Sequence, residues 1–238
     1  MEFCDGNQWH YVTDVELYVR EREMYEMRTC SADPKRGYRM YVDTQFARQR
    51  ELLQPRMRAY LHYQFPYEQA GSPEVQAAFF CDTIGALRAN EMVMLDTEGA
   101  SGLRNPADFM RRWCALVEPR LGTLAWIYVP SALADSLTRA VTGPRIVKAP
   151  RYSGHTGKGP KPWWPHDVWQ YTQTGHFIGS PHGPGDCNVT EWTVDQLLAR
   201  CKGSAPPPGR RTLRLGDTGE DVRHLQRLLN DRSIGTEI

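Results

Sequence analysis

Eight short runs of β-branched, aromatic and other apolar residues recur through residues 1–201, separated by longer stretches with helical spacing. This alternation constrains the fold more than any other feature. Strands joined by helices pair most readily in parallel, because a parallel pair needs a crossover of a dozen or more residues. The predicted strands are 2–4, 25–29, 58–63, 92–96, 125–129, 145–148, 167–171 and a short one near Asp186, and the predicted helices are 44–53, 73–90, 106–116, 131–140 and 194–201. In the second helix Ser72 reads as N-cap and Pro73 as a first-turn residue, with Val75, Ala78, Phe79, Ile84 and Leu87 expected on the buried face. The expected class is α/β: an irregular (β/α) TIM-like barrel at the low end of its size range, with a short C-terminal helical remnant.

The barrel-like pattern stops at Lys202-Gly-Ser-Ala-Pro-Pro-Pro-Gly-Arg-Arg211, where three prolines among small residues permit neither a helix nor a central strand. The expected organisation is a barrel over 1–201, a linker over 202–211 and a remnant over 212–238. In the remnant, Val222, Leu225, Leu228 and Leu229 fall on one helical face that needs a partner surface. The segment resembles the opening of a small three-helix peptidoglycan-binding module, but so short an apolar helix is marginal alone, so it is expected to be an incomplete one.

Composition removes several classes of function. With 29 basic and 28 acidic residues the net charge is +1, too near neutral for a protein that binds phosphate backbones electrostatically, so no nucleic-acid partner is expected. No apolar run reaches the ~20 residues of a membrane span, and Met1-Glu-Phe-Cys-Asp5 has neither the basic nor the apolar region of a secretion signal. No membrane insertion and no signal peptide are expected. The cysteines at 4, 30, 81, 114, 187 and 201 form no Cys-x-x-Cys pair and read as thiols of a reducing compartment. His155, His166, His176 and His182 are spaced by 11, 10 and 6 residues, which is no metal-ligand pattern, so neither metal nor cofactor is expected.

The chemistry concentrates in Met92-Val-Met-Leu-Asp96-Thr-Glu98-Gly99, an apolar run that ends in two carboxylates two residues apart. Residues i and i+2 of a strand share a face, and active sites of barrels are built at the carboxyl ends of strands. Two carboxyls in one cleft of low dielectric push their pKa values apart, so that one stays protonated as an acid while the other is ionised. That is the equipment for cleaving a glycosidic bond. Asp5 follows Phe3-Cys4, and Asp186 follows the loop Gly179-Ser-Pro-His-Gly-Pro-Gly185. A closed barrel would bring these two acids, at the ends of the first and last strands, to the same mouth as Asp96 and Glu98.

Four segments in order resemble the glycoside hydrolase family 25 muramidases, the lysozyme type of phage endolysins and bacterial autolysins. They are Phe3-Cys4-Asp5 with Gln8-Trp9; Ala59-Tyr60; Val93-Met-Leu-Asp96-Thr-Glu98; and Trp169-Gln-Tyr-Thr172 with the trailing Gly175, Gly179 and Gly185-Asp-Cys-Asn188. The resemblance implies that the chain hydrolyses the β-1,4 bond between N-acetylmuramic acid and N-acetylglucosamine in bacterial peptidoglycan. It makes Glu98 the general acid, has Asp96 stabilise or orient the reaction centre, and completes the acidic cleft with Asp5 and Asp186. Tyr60, Tyr128, Tyr152 and Trp169 would face the sugar. It also implies a monomer held in the host cytoplasm until a separate membrane-permeabilising protein releases it to the wall.

The chain departs from the family where Met27-Arg-Thr-Cys-Ser31 replaces a Lys-Ala-Thr-Glu-Gly strand end, where Tyr60-Leu-His-Tyr63 replaces a Tyr-His-Phe, and where Val147-Lys-Ala-Pro150 lacks a Trp. Two other readings therefore stand beside the first: a catalytically impaired wall-binding protein, and a cell-wall cysteine peptidase or amidase with Cys187 as nucleophile beside His176 or His182. Trp163-Trp164, in a Gly/Pro-rich insertion, is expected to pack its loop down, with sugar stacking as the alternative.

Overall fold

The computed structural model describes residues 1–98, 102–152 and 161–202. The chain divides into two units, Met1–Ala205 and Pro206–Ile238. The expected linker from residue 203, the C-terminal remnant, Gly99 and His155 lie outside the described residues.

Strands β1 (Glu2–Gly6), β2 (Met24–Asp33), β3 (Arg39–Val42), β4 (Ala59–Gln64), β5 (Glu91–Asp96), β6 (Trp126–Tyr128), β7 (Val147–Pro150), β8 (Val168–Gly175) and β9 (Gly185–Thr190) form one sheet. Its order is β1-β9-β8-β7-β6-β5-β4-β2-β3, and pairing of β1 with β2 closes an eight-strand ring, leaving β3 as an antiparallel edge on β2. The ring is mixed rather than wholly parallel, because β9 runs antiparallel to both β1 and β8. Residues 176–184 are too few for a helical crossover, so β8 and β9 can join only as a hairpin. Within that connection Gly179 adopts φ +73°, its carbonyl accepts from the Thr13 and Asp14 amides, and a Cβ there would come within 2.6 Å of the Asp14 carbonyl oxygen.

The helices are α1 (Val15–Glu21), α2 (Phe46–Leu53), α3 (Pro73–Ile84), α4 (Pro106–Leu121), α5 (Arg139–Thr142) and α6 (Val194–Cys201). Ser72 caps α3 as expected, but the helix ends at Gly85 (φ +68°) rather than at residue 90. Its buried face is Gln76, Ala77, Phe80, Cys81 and Ile84, and Val75 is exposed. The register is rotated because the Gln76 amide is satisfied by the Tyr67 and Gly71 carbonyls, which makes a polar residue the better one to bury. The expected helix over 131–140 is instead a single 3₁₀ turn, Ser131–Leu133, followed by the four residues of α5. Serine and aspartate at 131, 135 and 136 favour turns over a helix interior. Helix α1 and edge strand β3 carry too few residues to show a period.

Alternation along the strands sorts the core into two clusters. Tyr25, Tyr60, Phe80, Leu95, Trp113 and Ile127 pack between the sheet and the helices. Phe3, Met24, Leu61, Met92, Met94 and Trp126 fill the barrel itself. Val194, Leu197 and Cys201 of α6 join this inner cluster, and the Trp126 indole N–H points at Cys201 Sγ (3.1 Å), so α6 seals the amino-end floor. The carboxyl ends of the strands are left as the mouth.

Candidate active site

The mouth is built by residues that alternate onto the inner face. On β1 the inner residues are Phe3 and Asp5; on β2, Met24 and Glu26; on β5, Met92, Met94 and Asp96; on β6, Trp126 and Tyr128. Register then aligns them: Asp5 stands opposite Glu26 on one side and Asp186 on the other, and Asp96, Tyr128 and Lys148 are successive partners across β5, β6 and β7.

Asp5 is the hub. Its Oδ2 accepts from Lys148 Nζ at 2.8 Å, Asn188 Nδ2 at 3.1 Å and Gln170 Nε2 at 3.2 Å. The oxygen of Gln170 in turn accepts from the hydroxyls of Tyr128 (2.6 Å) and Tyr152 (3.3 Å). Burial opposes ionisation of Asp5, but the Lys148 charge and the hydrogen bonds from Lys148, Asn188 and Asp186 outweigh it and hold the carboxyl below its ordinary range. Lys148 is buried with 1% of its side chain exposed and also contacts both Glu26 oxygens at 2.8 Å. Burial lifts Glu26 to about 7 despite that lysine.

The remaining acids shift the other way. Burial, then the charge of Asp5, pushes Asp186 up to about 9, so at neutral pH it is the protonated partner that donates to Asp5. Burial and then Glu98 raise Asp96 well above the carboxylate range. Burial and then Asp5 raise Glu98. Strand β5 ends at Asp96, and the Thr97 hydroxyl donates to the Tyr128 carbonyl, carrying the chain past the strand to the half-buried Glu98. Asp96 Oδ1 is buried with no hydrogen-bond partner among the described residues, an acceptor left for a ligand N–H or hydroxyl.

The structure therefore brings Asp5, Asp96, Glu98 and Asp186 into one electrostatically coupled cluster, with Tyr128 and Tyr152 hydrogen-bonded to it. It does not bring Tyr60 or Trp169. Tyr60 is fully buried on the outer face of β4, ring to ring with Tyr25 and His62, between the inward-facing Ala59 and Leu61, and the inward-facing tyrosine of that strand is Tyr63. Trp169 likewise points outward, donating its indole N–H to the Arg151 carbonyl, while the inward residue is Gln170. Both expectations fail by one position of strand register, which reverses the face.

Glu26, Lys148, Tyr63, Gln170 and Asn188 belong to the cluster and escaped the reading of the sequence. The available signal was a lone charge in each of two otherwise apolar runs, Tyr25-Glu-Met27 and Ile146-Val-Lys-Ala149, of opposite sign. Trp164 is buried and donates to the Val129 carbonyl, packing its loop as expected, and Trp163 is exposed. Cys187 faces away from the mouth, and its described partners are Cys4, Tyr171 and backbone carbonyls rather than an imidazole, which removes the basis for a cysteine peptidase or amidase.

Solved structures share this barrel. A bacterial lysozyme from Streptomyces coelicolor superposes with a TM-score of 0.65 at 18% identity, covering 86% of this chain and 98% of its own. The catalytic domain of an endolysin from a Listeria monocytogenes bacteriophage matches at 0.64 and 18%, over 86% and 98% of the two chains. A family 25 glycosyl hydrolase from Bacillus anthracis matches at 0.63 and 13%, over 83% and 92%. The fold is that of the family 25 glycosyl hydrolases. No family model and no curated protein matches the chain by sequence. At these identities the likeness establishes the architecture, and the chemistry is argued from the residues at the mouth.

Proposed function

We propose that the chain is an endolysin-type muramidase that hydrolyses the β-1,4 bond between N-acetylmuramic acid and N-acetylglucosamine in bacterial peptidoglycan. The observation that carries this reading is the opposed protonation of one carboxyl cluster: Asp5 is held ionised by Lys148 while Asp96, Glu98 and Asp186 are pushed towards their neutral forms. The likeness of the barrel to lysozymes and an endolysin supports it.

Glu98 is the general acid. Its raised pKa keeps the proton that goes to the glycosidic oxygen as the C1–O bond breaks, and the resulting carboxylate then takes a proton from the water that adds to C1. Asp96, whose Oδ1 has no hydrogen-bond partner among the described residues, orients or stabilises the sugar at the reacting carbon. Asp5 and Asp186 complete the cleft, with Tyr128 and Tyr152 along its wall. The protein works as a monomer on the wall after release from the host cytoplasm.

The test is digestion of purified peptidoglycan by the full chain and by Glu98→Gln. New muramic-acid reducing ends that disappear in the variant, with a fall in kcat of ~10²–10⁴, are expected. A wild-type protein that sediments with the wall but releases no reducing ends would instead identify a binding protein without catalysis.

A further inference from the structure

On the face of the β1–β9 seam opposite the acidic mouth, the Cys4 and Cys187 sulfurs lie 3.7 Å apart, both buried. The two residues are direct register partners of antiparallel strands, each one position from the Asp5 and Asp186 pair. Directly opposed antiparallel residues have Cα atoms about 4.5–5.5 Å apart, inside the roughly 4.4–6.8 Å that a disulfide spans, so rotation about the two Cα–Cβ bonds can bring the sulfurs to the bonding distance of about 2.0 Å. Among the described residues this is the one sulfur–sulfur hydrogen-bonded pair; Cys201 faces the Trp126 indole, and Cys30, Cys81 and Cys114 sit in the helix-facing core.

We propose that Cys4 and Cys187 form a redox site that a small-molecule disulfide of the glutathione type converts into a cross-strand bridge, closing the barrel seam covalently.

The local chemistry assigns the order of events. Cys187 is the attacking thiol: the hydrogen bond from Cys4 holds it below the ordinary thiol range despite burial, and Cys4 is held above it. Cys187 is also the more exposed of the two, at 4% against 0%, and its Sγ packs directly against Gly175, where a Cβ would lie 2.5 Å from it. The Cys187 thiolate attacks one sulfur of the reagent, forming a mixed disulfide and expelling one reagent thiolate. That thiolate takes the Cys4 proton, and the Cys4 sulfur displaces the second reagent sulfur from Cys187 as a thiolate, which takes up the proton that Cys187 had released. Two protein thiols and one reagent disulfide thus become one cystine and two reagent thiols. Under the proposed function, the bridge would form when the protein leaves a reducing interior for the wall; that consequence rests on the proposed function, whereas the dithiol site does not.

The experiment incubates the folded full chain with glutathione disulfide, and in parallel with diamide as a smaller thiol oxidant, then alkylates and maps peptides without reduction. A peptide pair joined through Cys4 and Cys187 is expected, with the other four cysteines alkylated, and a rise in melting temperature of about 5–15 °C that dithiothreitol reverses and that Cys4→Ser and Cys187→Ser each abolish. Complete alkylation of both residues after either oxidant, a mixed disulfide at Cys187 that never resolves, or a melting shift retained in Cys4→Ser would each overturn the proposal. None of these readouts depends on peptidoglycan hydrolysis.

Discussion

Lys148 Nζ lies 2.8 Å from Asp5 Oδ2 inside the barrel, although the two residues are 143 positions apart in the chain. The lysine sits under the acidic mouth with Glu26 on its other side, so one buried cation serves two carboxyls. Removing one member of a buried ion pair strands its partner, whereas replacing the whole set by apolar groups of similar size can be neutral.

Lys148→Met is accordingly expected to destabilise the fold by about 3–5 kcal/mol in urea unfolding. Adding Glu26→Gln is expected to recover part of that loss, because one of the two stranded carboxyls is then neutral. A double-mutant cycle measures the coupling, and additive losses would show that Lys148 and Glu26 act independently.

Asp5→Asn tests the electrostatic control of Glu98. After burial, the Asp5 charge is what keeps the proton on Glu98, so removing it lowers the Glu98 pKa. A general acid is active in its protonated form, and activity falls as pH rises through its pKa. The alkaline limb of the kcat/KM profile is therefore expected to move to lower pH in the variant. A limb that stays in place would mean that another group sets it.

Tyr60 and Tyr63 stand on opposite faces of β4. The Tyr60 hydroxyl is buried without a hydrogen-bond partner among the described residues, so Tyr60→Phe is expected to leave kcat/KM unchanged and stability equal or higher by about 1 kcal/mol. Tyr63 faces the barrel and feels the charges of Asp5, Asp96 and Glu26. Tyr63→Phe is expected to lower kcat/KM by about tenfold, the worth of one hydrogen bond of about 1.4 kcal/mol. The reverse ranking on peptidoglycan fragments would place the sugar elsewhere.

Away from the mouth, Glu91 at the start of β5 accepts two 2.8 Å bonds from Arg50 and one from the Arg88 amide. Burial opposes its ionisation, but the hydrogen bonds from His62 and Arg50 prevail and lower the carboxyl to about 2. Its folded pKa lies below the unfolded value, so its stabilising contribution is present above about pH 4.5 and is lost as pH falls towards 2. Glu91→Gln is expected to lower stability at pH 7 by about 3 kcal/mol and to flatten the acid limb of stability against pH, read by chemical unfolding across that range.

Much of the architecture is legible in local pattern. Strand cores such as 92–96 and helix α6 follow from hydrophobic runs and from Thr193 and Gln196 capping each other's backbone amides, because those signals act over a few residues. The ends of strands also mark Asp5, Asp96 and Asp186 as acids at a common rim. Which side of a strand a residue faces is less secure, since a shift of one residue reverses it; Tyr60 and Trp169 turn outward for that reason, and Tyr63 and Gln170 take the inner positions.

By itself the sequence determined the alternation of strands and helices, the carboxylates at the strand ends, and the capping of α3 and α6, all set by neighbours in the chain. Only the tertiary structure decided that the ring closes through an antiparallel β9, that Lys148 neutralises Asp5 and Glu26, and that Cys4 meets Cys187. Those relationships join residues more than 100 positions apart. Their energies come from burial and low dielectric, which exist only once the barrel has closed.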